Sequence, residues 1–519
     1  MSAEIHDPSP LHRLADGSWI DPARAAERYG RRMDSPPGGD DFRTPTERDR
    51  GRLGYSAYLR RLAGVTQVVS PELASAQMHS RSSHTHKVAM IAREIADHVA
   101  RGAEKNPAWL RVIAQAGGLD ISACEAAGLA HDIGHPPFGH AGEDALNDYL
   151  ERKGVEDGFE GNAQTFRTVA RLDRVTGTSD YGLNLTNVTL AAILKYPYPK
   201  KQPYSLPGNR KFGAYSDDEG ELYHVRSAVL GLSEGGTDHG RQTLEASIMD
   251  LADDIAYAIH DLEDFLAAGL IDVGLVLREL VLSLEDAGIT EEDRAALDFA
   301  AADFNEPPEK FTVESKKLIF VASANKHRAS YFPLFNDVDY AAALHDVSQF
   351  LEGLGDPDRE DYPMQLRLSL KDFVGKFFAN IKVSDVPPYE EGPSVYLSSE
   401  LWHQMQVLKS ITRYYLVSRP RMGSMQRAQS RAIEVLMDGL AAWICAVPET
   451  HALPPTLLTI FGRNNVPFPT TRQDPKELSP AQYRALADYV CTMSDSEALM
   501  RSQWLAGTEV PGSFRLALS

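Results

Sequence analysis

Residues 131–143 read His-Asp-Ile-Gly-His-Pro-Pro-Phe-Gly-His-Ala-Gly-Glu, and this stretch decides how the rest of the chain is interpreted. An apolar helical pattern leads into it, and a glycine and two adjacent prolines then stop the helix. The pattern predicts a second helix that begins near His140. The loop between the two helices gathers four titratable side chains, which are hard to explain as solvated surface: His131, Asp132, His135 and His140.

Apolar residues recur at helical spacing on both sides of this loop. The clearest segments of the first half are 84–101 and 243–266, and Ser122 and Asn162 are expected N-caps of shorter helices. Further helices are expected at 338–353, 364–380, 399–417, 425–444 and 479–500. Because no sustained alternation of apolar and polar residues is present, we predict an all-α fold with at most one small β-hairpin, inside residues 205–230.

The composition divides the chain into three parts. Residues 1–47 are polar, with a run of proline, glycine and aspartate at 36–41, which predicts an N-terminal arm. Residues 48–270 hold the helical core, with a loop insertion at 197–242 that is rich in proline, glycine, tyrosine and charge. Residues 271–519 are expected to form a helical C-terminal region that completes the pocket and supplies oligomer contacts.

The bulk composition excludes several classes of function. The chain carries 53 basic and 73 acidic residues, a net charge of −20, so nucleic acid is not expected as its main partner. No apolar run approaches the roughly 18 residues needed to span a bilayer, and the N-terminus lacks the features of a secretory signal. Three scattered cysteines are too few for a disulfide framework. We therefore expect a cytoplasmic protein without a membrane partner.

The adjacent His131 and Asp132 offer one imidazole nitrogen and one carboxylate to a single cation. His84 can add a second nitrogen, and the Asp253–Asp254 pair can add a second carboxylate. A mixed nitrogen and oxygen set with open positions suits a hydrolytic divalent metal ion. These residues therefore predict a metal-dependent phosphohydrolase.

Helix geometry separates the two neighbouring aspartates. Asp253, Tyr257 and Asp261 are spaced i, i+4 and i+8, so they lie along one edge of a helix. Asp254 points about 100° away from that edge. Asp253 is therefore the expected ligand, and Asp254 is the alternative.

Several linked motifs occur in one order between residues 43 and 270. They are Arg81-x-x-His84, the stretch from His131 to Glu143, Glu160-Gly-Asn-Ala-Gln164, Leu194-Lys-Tyr-Pro197 and Ala252-Asp-Asp-Ile-Ala-Tyr257. Together they resemble the HD-domain deoxynucleoside triphosphate triphosphohydrolases, the bacterial dGTPase family, and the core is also similar to the mammalian SAM-and-HD-domain hydrolase. The C-terminal half matches the family only loosely. The resemblance implies an HD-domain helical core with additional C-terminal helices.

The resemblance also implies roles for individual residues. The metal would be bound by His84, His131, Asp132 and Asp253. His140 and Glu143 would act as a dyad, in which the carboxylate orients the imidazole, and His135 would contact the α-phosphate or the leaving 5′ oxygen. The expected metal is divalent, Mg²⁺ or Mn²⁺ first, with Fe, Co or Ni as alternatives.

The substrate contacts implied by the resemblance surround this centre. Gln67 and Asp261 would hold the sugar, with Asp261 on the 3′-hydroxyl, and Tyr257 would pack against the deoxyribose and leave little room for a 2′-hydroxyl. The remaining substrate-binding residues, which include the triphosphate contacts, would be Arg81, Lys195, Tyr196 and Lys211.

The expected reaction is hydrolysis of a deoxynucleoside triphosphate, dGTP or dNTPs generally, to the deoxynucleoside and triphosphate. The alternatives are another HD phosphohydrolase, such as a nucleoside monophosphatase or an alarmone hydrolase, and a non-catalytic nucleotide sensor. A positioned His140–Glu143 pair argues against the sensor, because a pure binder has no need of it. The resemblance further implies a homo-oligomer, for which a hexamer is plausible, and allows a nucleotide activator.

Overall fold

The computed structural model describes residues 11–35, 38–67, 80–174, 180–200, 211–232, 240–277, 337–354, 359–388, 392–417, 420–446, 452–469 and 471–508. Within these residues the prediction of an all-α fold is confirmed, since helices form the body and strands are confined to two small sheets. No helix in the described ranges is both long enough and apolar enough to cross a membrane.

The helices of the described residues are numbered in chain order. Those of the first half are α1 Ala25–Arg28, α2 Pro45–Gly54, α3 Ala57–Arg61, α4 Arg81–Ala103, α5 Pro107–Gln115, α6 Ile121–Ala130, α7 His140–Arg152, α8 Gly161–Arg167, α9 Asn187–Ala192, α10 Glu219–Leu230, α11 Leu244–Ala256 and α12 Leu262–Ala267. Those of the second half are α13 Asp337–Gly353, α14 Tyr362–Ala379, α15 Ser399–Thr412, α16 Pro420–Ala446, α17 Pro455–Arg463, α18 Pro480–Val490 and α19 Asp495–Leu505.

In the part of the chain that the structure describes, three π-helical turns continue α-helices directly, at Thr168–Leu172, Tyr257–Asp261 and Arg413–Val417. The 3₁₀ turns lie at Leu62–Gly64, Ser216–Asp218 and Pro475–Glu477. Turns of the π type often occur at functional sites, because they re-aim side chains without ending the helix. The turn at Tyr257–Asp261 carries two of the residues expected in the pocket.

Two small antiparallel sheets complete the described structure. In the first, β2 Trp19–Ile20 lies between β1 His12–Arg13 and β3 Gly118–Leu119. In the second, β4 Ile381–Val383 pairs with β5 Val395–Leu397, with Lys382 opposite Tyr396. A small two-stranded element is therefore present at β4 and β5. Of the range 205–230 in which a hairpin was expected, residues 219–230 form helix α10, and residues 205–210 lie outside the described ranges.

Helices α4, α6 and α11 pack together at the centre of the molecule. Helix α6 is composed mainly of small apolar residues, which let its neighbours approach closely. At Gly128 a Cβ atom would lie 2.6 Å from the Ala89 Cα of α4, so only glycine fits there. The ends of these three helices bring the expected metal ligands to one place.

The segment expected to be an N-terminal arm instead packs on the helical body. Through β2 it pairs with β3, and Arg28 of α1 is buried against Glu245 of α11, with its guanidinium nitrogen 2.5 Å from the carboxylate. The insertion at 197–242 is likewise not a loop throughout, because it contains α10; residues 201–210 and 233–239 of it lie outside the described ranges. The division of the chain at residues 47 and 270 stays a prediction.

Candidate active site

The stretch 131–140, here called the His-Asp loop, leaves the end of α6 in a tight turn against α8. A Cβ at Gly134 would lie only 2.1 Å from the Thr165 backbone nitrogen, so the loop can press against α8 only with glycine at this position. The Gly134 N–H donates to the Thr165 hydroxyl at 3.0 Å, and that hydroxyl donates to the His131 carbonyl at 3.0 Å. Both ends of the turn are thereby fixed.

Three of the expected metal ligands come from three different helices and meet in one group. The nearest ligand atoms of His84, His131 and Asp253 all lie within 4.8 Å of one another. Asp253 Oδ1 is 3.2 Å from His84 Nε2 and 3.6 Å from His131 Nε2. Asp132 joins the group through its Oδ2, which lies 3.4 Å from His131 Nε2. The spacing matches that of side chains that surround one cation.

The hydrogen bonds of His131 leave one nitrogen suited to a metal. Its Nδ1 is 2.8 Å from the Gly128 carbonyl, which fixes the ring and its tautomer. Its Nε2 is buried and has no hydrogen-bond partner among the described residues. An orphaned buried nitrogen that faces two carboxylates is what a divalent cation would satisfy, so the residues present fit a metal ion.

The electrostatics of the group favour bound cations. Burial alone would raise the pKa of the Asp253 carboxyl. The neighbouring Lys195, His131 and His84 have the larger effect and hold this pKa well below its usual value. Burial also opposes the charge of Asp132, and Arg81 together with the histidines lowers its pKa in the same way. Against burial, the neighbouring carboxylates of Asp253 and Asp261 raise the pKa of His84 to about 10.

The two neighbouring aspartates of α11 face different partners. Asp253 lies in the group of candidate ligands, whereas Asp254 Oδ1 accepts a hydrogen bond from Lys409 Nζ of α15 at 2.7 Å. Asp254 is therefore engaged in an ion pair with the C-terminal half. The geometry agrees with the choice of Asp253 over Asp254.

The two side chains expected to act as an acid-base pair, His140 and Glu143, contact each other beside this group. His140 Nδ1 is 2.9 Å from Glu143 Oε2, at the first turn of α7. Glu143 Oε1 accepts from the Gly161 N–H at 3.0 Å and from Lys211 Nζ at 2.8 Å. The His140 side chain is 70% exposed to the cavity side, while Glu143 is buried beneath it. A fixed carboxylate behind a solvent-facing imidazole is the arrangement of a general acid-base pair.

His135 lies between the two groups. Its Nδ1 is 3.0 Å from Asp132 Oδ1, and its ring centroid is 5.7 Å from that of His140. Burial lowers the pKa of His135 to about 3, so it is neutral over the physiological range. It can contact a substrate oxygen by a hydrogen bond but carries no charge.

The two lysines expected to contact triphosphate reach the cavity but are held by carboxylates. Lys195 Nζ is 2.7 Å from Asp250 and 2.8 Å from Asp253. Lys211 Nζ is 2.8 Å from Glu143 and 3.1 Å from Glu160. Each lysine therefore orients a carboxylate of the site as well as facing the cavity.

The three expected sugar contacts differ in position. Gln67 and Tyr257 line the cavity. Asp261 is 3% exposed and lies beneath the cavity, with Oδ1 3.6 Å from His84 Nδ1. In this arrangement Asp261 supports the far side of a candidate metal ligand, a contact that was not expected from the sequence.

One cavity of about 280 Å³ unites these groups. The second half was expected to complete the pocket, but sequence reasoning did not name the residues that line the cavity there, Lys409 of α15 and Met425, Gln426 and Gln429 of α16. The only signal available was the helical spacing that puts both glutamines on one face. The basic side chains that line the cavity are Arg81, Lys195, Lys211 and Lys409.

Comparison with known proteins gives two family matches. Residues 81–258 match the HD domain, and residues 395–503 match the phosphohydrolase-associated domain. The first match contains all the candidate metal ligands and the acid-base pair. The second contains Lys409 and the glutamines of the cavity wall.

Curated relatives carry the name deoxyguanosinetriphosphate triphosphohydrolase-like protein. One from Streptomyces coelicolor is 42% identical over 265 residues, which are 50% of this chain and 54% of the relative. One from Corynebacterium efficiens is 44% identical over 244 residues, 46% of this chain and 50% of the relative. One from Shewanella sediminis is 37% identical over 284 residues, 49% of this chain and 61% of the relative. The chain thus spans about half the length of the relatives it matches.

Proposed function

Because the chain belongs to the HD-domain family of deoxyguanosinetriphosphate triphosphohydrolase-like proteins, we propose that it is a metal-dependent phosphohydrolase that cleaves deoxynucleoside triphosphates to deoxynucleoside and triphosphate. The observation that carries the proposal is the union of three features in one cavity. A group fit for a divalent cation, an oriented histidine–glutamate pair and four basic side chains all face the same space.

The charge distribution supports a polyphosphate substrate. The chain as a whole carries a net charge of −20, and four basic side chains, each ion-paired with a carboxylate, line this one cavity. Exposed charges further away than a Debye length of about 8 Å are largely screened at physiological ionic strength. A triphosphate inside the cavity would therefore interact mainly with the groups that line it. Its oxygens would have to replace carboxylates as partners of the lysines and the arginine, while a divalent cation would offset the aspartates of the wall.

In the proposed reaction a water oxygen bonds to the α-phosphorus, and the bond from that phosphorus to the 5′ oxygen breaks. The 5′ oxygen leaves with a proton as the deoxynucleoside, and the water oxygen stays with the triphosphate. A divalent cation held by His84, His131, Asp132 and Asp253 would neutralise charge on the α-phosphate and lower the pKa of a bound water.

His140 is the side chain placed to move the proton. Glu143 fixes its Nδ1, so Nε2 faces the cavity and either accepts a proton from water or donates one to the 5′ oxygen. His135, neutral and adjacent, can hold an oxygen of the α-phosphate. Homo-oligomerisation, a nucleotide activator and a cytoplasmic location stay predictions of the family resemblance.

The experiment that tests the proposal is a product assay with each dNTP and Mg²⁺ or Mn²⁺. We expect tripolyphosphate and deoxynucleoside as first products, and no reaction after EDTA treatment. Pyrophosphate or monophosphate as the first product from every dNTP would contradict the proposal. In parallel, hydrolysis of a nucleoside monophosphate or an alarmone alone would point to the alternative phosphohydrolases.

The sugar is tested in the same assay. Tyr257 and Gln67 line the cavity next to the candidate ligands, where a ring against the sugar would crowd a 2′-hydroxyl. We expect dNTPs to be preferred to NTPs. A lower kcat/KM for 2′,3′-dideoxy triphosphates would identify a residue that binds the 3′-hydroxyl, since a buried polar partner left unpaired costs about 1–3 kcal/mol. Equal kcat/KM for GTP and dGTP would contradict this assignment of Tyr257.

A further inference from the structure

Asp495, the first residue of α19, lies far along the chain from the His-Asp loop but is bonded directly to it. Its Oδ1 accepts the Phe138 backbone N–H at 2.7 Å. Its Oδ2 accepts both the backbone N–H and the hydroxyl of Thr66, at 3.0 and 2.5 Å. The side chain is buried, so one carboxylate serves three donors away from bulk water.

The bond to Phe138 holds a strained part of the loop. Phe138 has φ +68°, a conformation that a bulky residue rarely adopts, and Gly139 follows with φ +57°. Such a backbone persists only where its surroundings hold it. Because His140 is the next residue, the direction in which the chain enters α7 depends on this bond.

The bonds to Thr66 lead to the other side of the site. The Thr66 carbonyl accepts Arg81 Nε at 3.2 Å, and the same guanidinium donates from NH1 to Asp132 Oδ2 at 2.5 Å. A continuous path of hydrogen bonds thus joins Asp495 to a candidate metal ligand. Gln67, which lines the cavity, is the next residue after Thr66.

The residues just before Asp495 contact the same region. Arg61 donates from NH1 to the Met493 carbonyl at 3.2 Å, and from NH2 to the Ile133 carbonyl at 3.1 Å and to the His135 carbonyl. A Cβ at Gly64 would lie 3.0 Å from Ser494 Cβ, so the backbones approach closely there. Residues 493–495 therefore contact the His-Asp loop directly at Phe138 and, through Arg61, at Ile133 and His135.

We propose that Asp495 is a positioning residue for the reaction of this cavity: it holds Phe138 and Thr66, and through them it keeps His140 and Asp132 facing the same space. Asp495 lies within residues 395–503, which match the phosphohydrolase-associated domain, so this segment would help to position the site of the HD domain. Its kinetic consequence rests on the proposed function, whereas the bonds themselves can be tested without substrate.

The test is Asp495→Asn in the full chain, with Asp49→Asn as the matched control. An asparagine has only one acceptor oxygen. Its NH₂ group must therefore face the N–H donor of Phe138 or the donors of Thr66, and one of these partners loses its acceptor. Asp49 is equally buried and also binds the backbone N–H and hydroxyl of a threonine, Thr186, at 2.9 and 2.7 Å, but it lies away from the loop. Both variants disturb the bonds of a buried carboxylate to a threonine, and Asp49→Asn also removes the negative charge that Arg31 binds at 2.5 Å, which makes it the more severe control for stability.

We expect kcat of Asp495→Asn to fall roughly 10- to 100-fold with a smaller change in KM, because misplaced acid-base groups slow the chemical step. Asp49→Asn should keep a kcat close to that of the wild type, even if its Tm falls as far as that of Asp495→Asn. A wild-type kcat for Asp495→Asn, or an equal loss of kcat in both variants, would overturn the proposal.

Amide hydrogen exchange supplies the readout that needs no substrate. Exchange in peptides that contain Phe138 and Thr66 should rise in Asp495→Asn and not in Asp49→Asn; unchanged exchange would overturn the proposal. If the wild type hydrolyses no dNTP, the proposed function fails, and exchange alone decides the role of Asp495. If Asp495→Asn does not fold, Thr66→Val removes one donor to the same carboxylate and should lower kcat, and a wild-type kcat would count against the inference.

Discussion

At the residue scale, the site separates carboxylates that the sequence places side by side. Asp253 lies against His84 and His131, whereas Asp254 is paired with Lys409. Adjacent residues on a helix point about 100° apart, so neighbours can belong to different environments. This difference yields a pair of matched substitutions.

Asp253→Asn should lose bound metal and turnover, because the remaining ligands cannot replace its oxygen. Asp254→Asn should keep its metal and most of kcat, since it breaks only the ion pair with Lys409. Metal content after gel filtration and kcat are the measurements. Equal losses in the two variants, or the reverse order, would show that the wrong carboxylate has been assigned.

The acid-base pair gives a second prediction. His140→Ala or Glu143→Gln should reduce kcat by about 10²–10⁴-fold while metal stays bound, the usual span for a positioned acid-base group. His86→Ala is the control, because His86 is exposed on α4 and bonds the Ser82 carbonyl. Near-normal kcat in both pair variants would transfer the proton step to another group, with His135 first.

Much of this site could be predicted because its geometry is local. His131 and Asp132 are adjacent, and His140 and Glu143 share one helical turn, so spacing alone brings each pair together. The partners of the lysines could not be predicted, because they depend on distances across the fold. Lys211, for example, meets Glu143 68 positions earlier in the chain.

At the scale of elements, the π turn after α11 decides where Asp261 lies. In a regular α-helix, residues eight apart drift about 80° around the axis. The turn Tyr257–Asp261 takes more residues per turn, which reduces that drift and brings Asp261 towards the same histidine as Asp253. His84 consequently has Asp253 near Nε2 and Asp261 near Nδ1.

Asp261→Asn distinguishes the two roles open to this residue. If it supports His84, the variant should bind metal about 10–100-fold more weakly, as is usual for partners of metal-binding histidines. If it holds the 3′-hydroxyl instead, metal affinity should stay the same, and the preference for dNTPs over dideoxy triphosphates should disappear. Metal titration and the two kcat/KM values separate these outcomes, and the structure favours the first.

Helix ends were harder to predict than helix interiors. Asp120, not Ser122, caps α6, with its carboxylate on the Ala123 N–H at 2.7 Å, and Glu160, not Asn162, caps α8. Several polar residues precede each helix, and sequence alone does not say which has the extended backbone that a cap requires. The apolar interior stripes depend only on periodicity, and helices cover them as predicted except at 479–500. That segment is interrupted after Val490 and forms two helices, α18 and α19.

At the scale of the whole molecule, buried charges tie the second half to the first. Arg167 of α8 is almost wholly buried and binds Asp218 at 2.8 Å and Asp488 of α18 at 3.1 Å. Asn464 and Gln164 donate to the same Asp488 at 2.8 Å. This network joins α8, the insertion and the C-terminal helices, which no local pattern in the sequence indicates.

Asp488→Ala should therefore destabilise the protein strongly, by about 3–5 kcal/mol, because it leaves part of a buried guanidinium charge unpaired. Glu434→Ala is the control, since its ion pair with Arg152 is largely exposed and worth at most about 1 kcal/mol. Denaturant unfolding gives both values. A loss below about 1 kcal/mol for Asp488→Ala would mean that the network does not hold the two halves together.

The central claim is that water attacks the α-phosphorus of a deoxynucleoside triphosphate in this cavity. Turnover in H₂¹⁸O followed by mass spectrometry of both products tests it most directly. We predict one ¹⁸O in an intact triphosphate and none in the deoxynucleoside, because the bond from phosphorus to the 5′ oxygen is the one that breaks. Label in the deoxynucleoside, or label in a released monophosphate or pyrophosphate, would contradict the account.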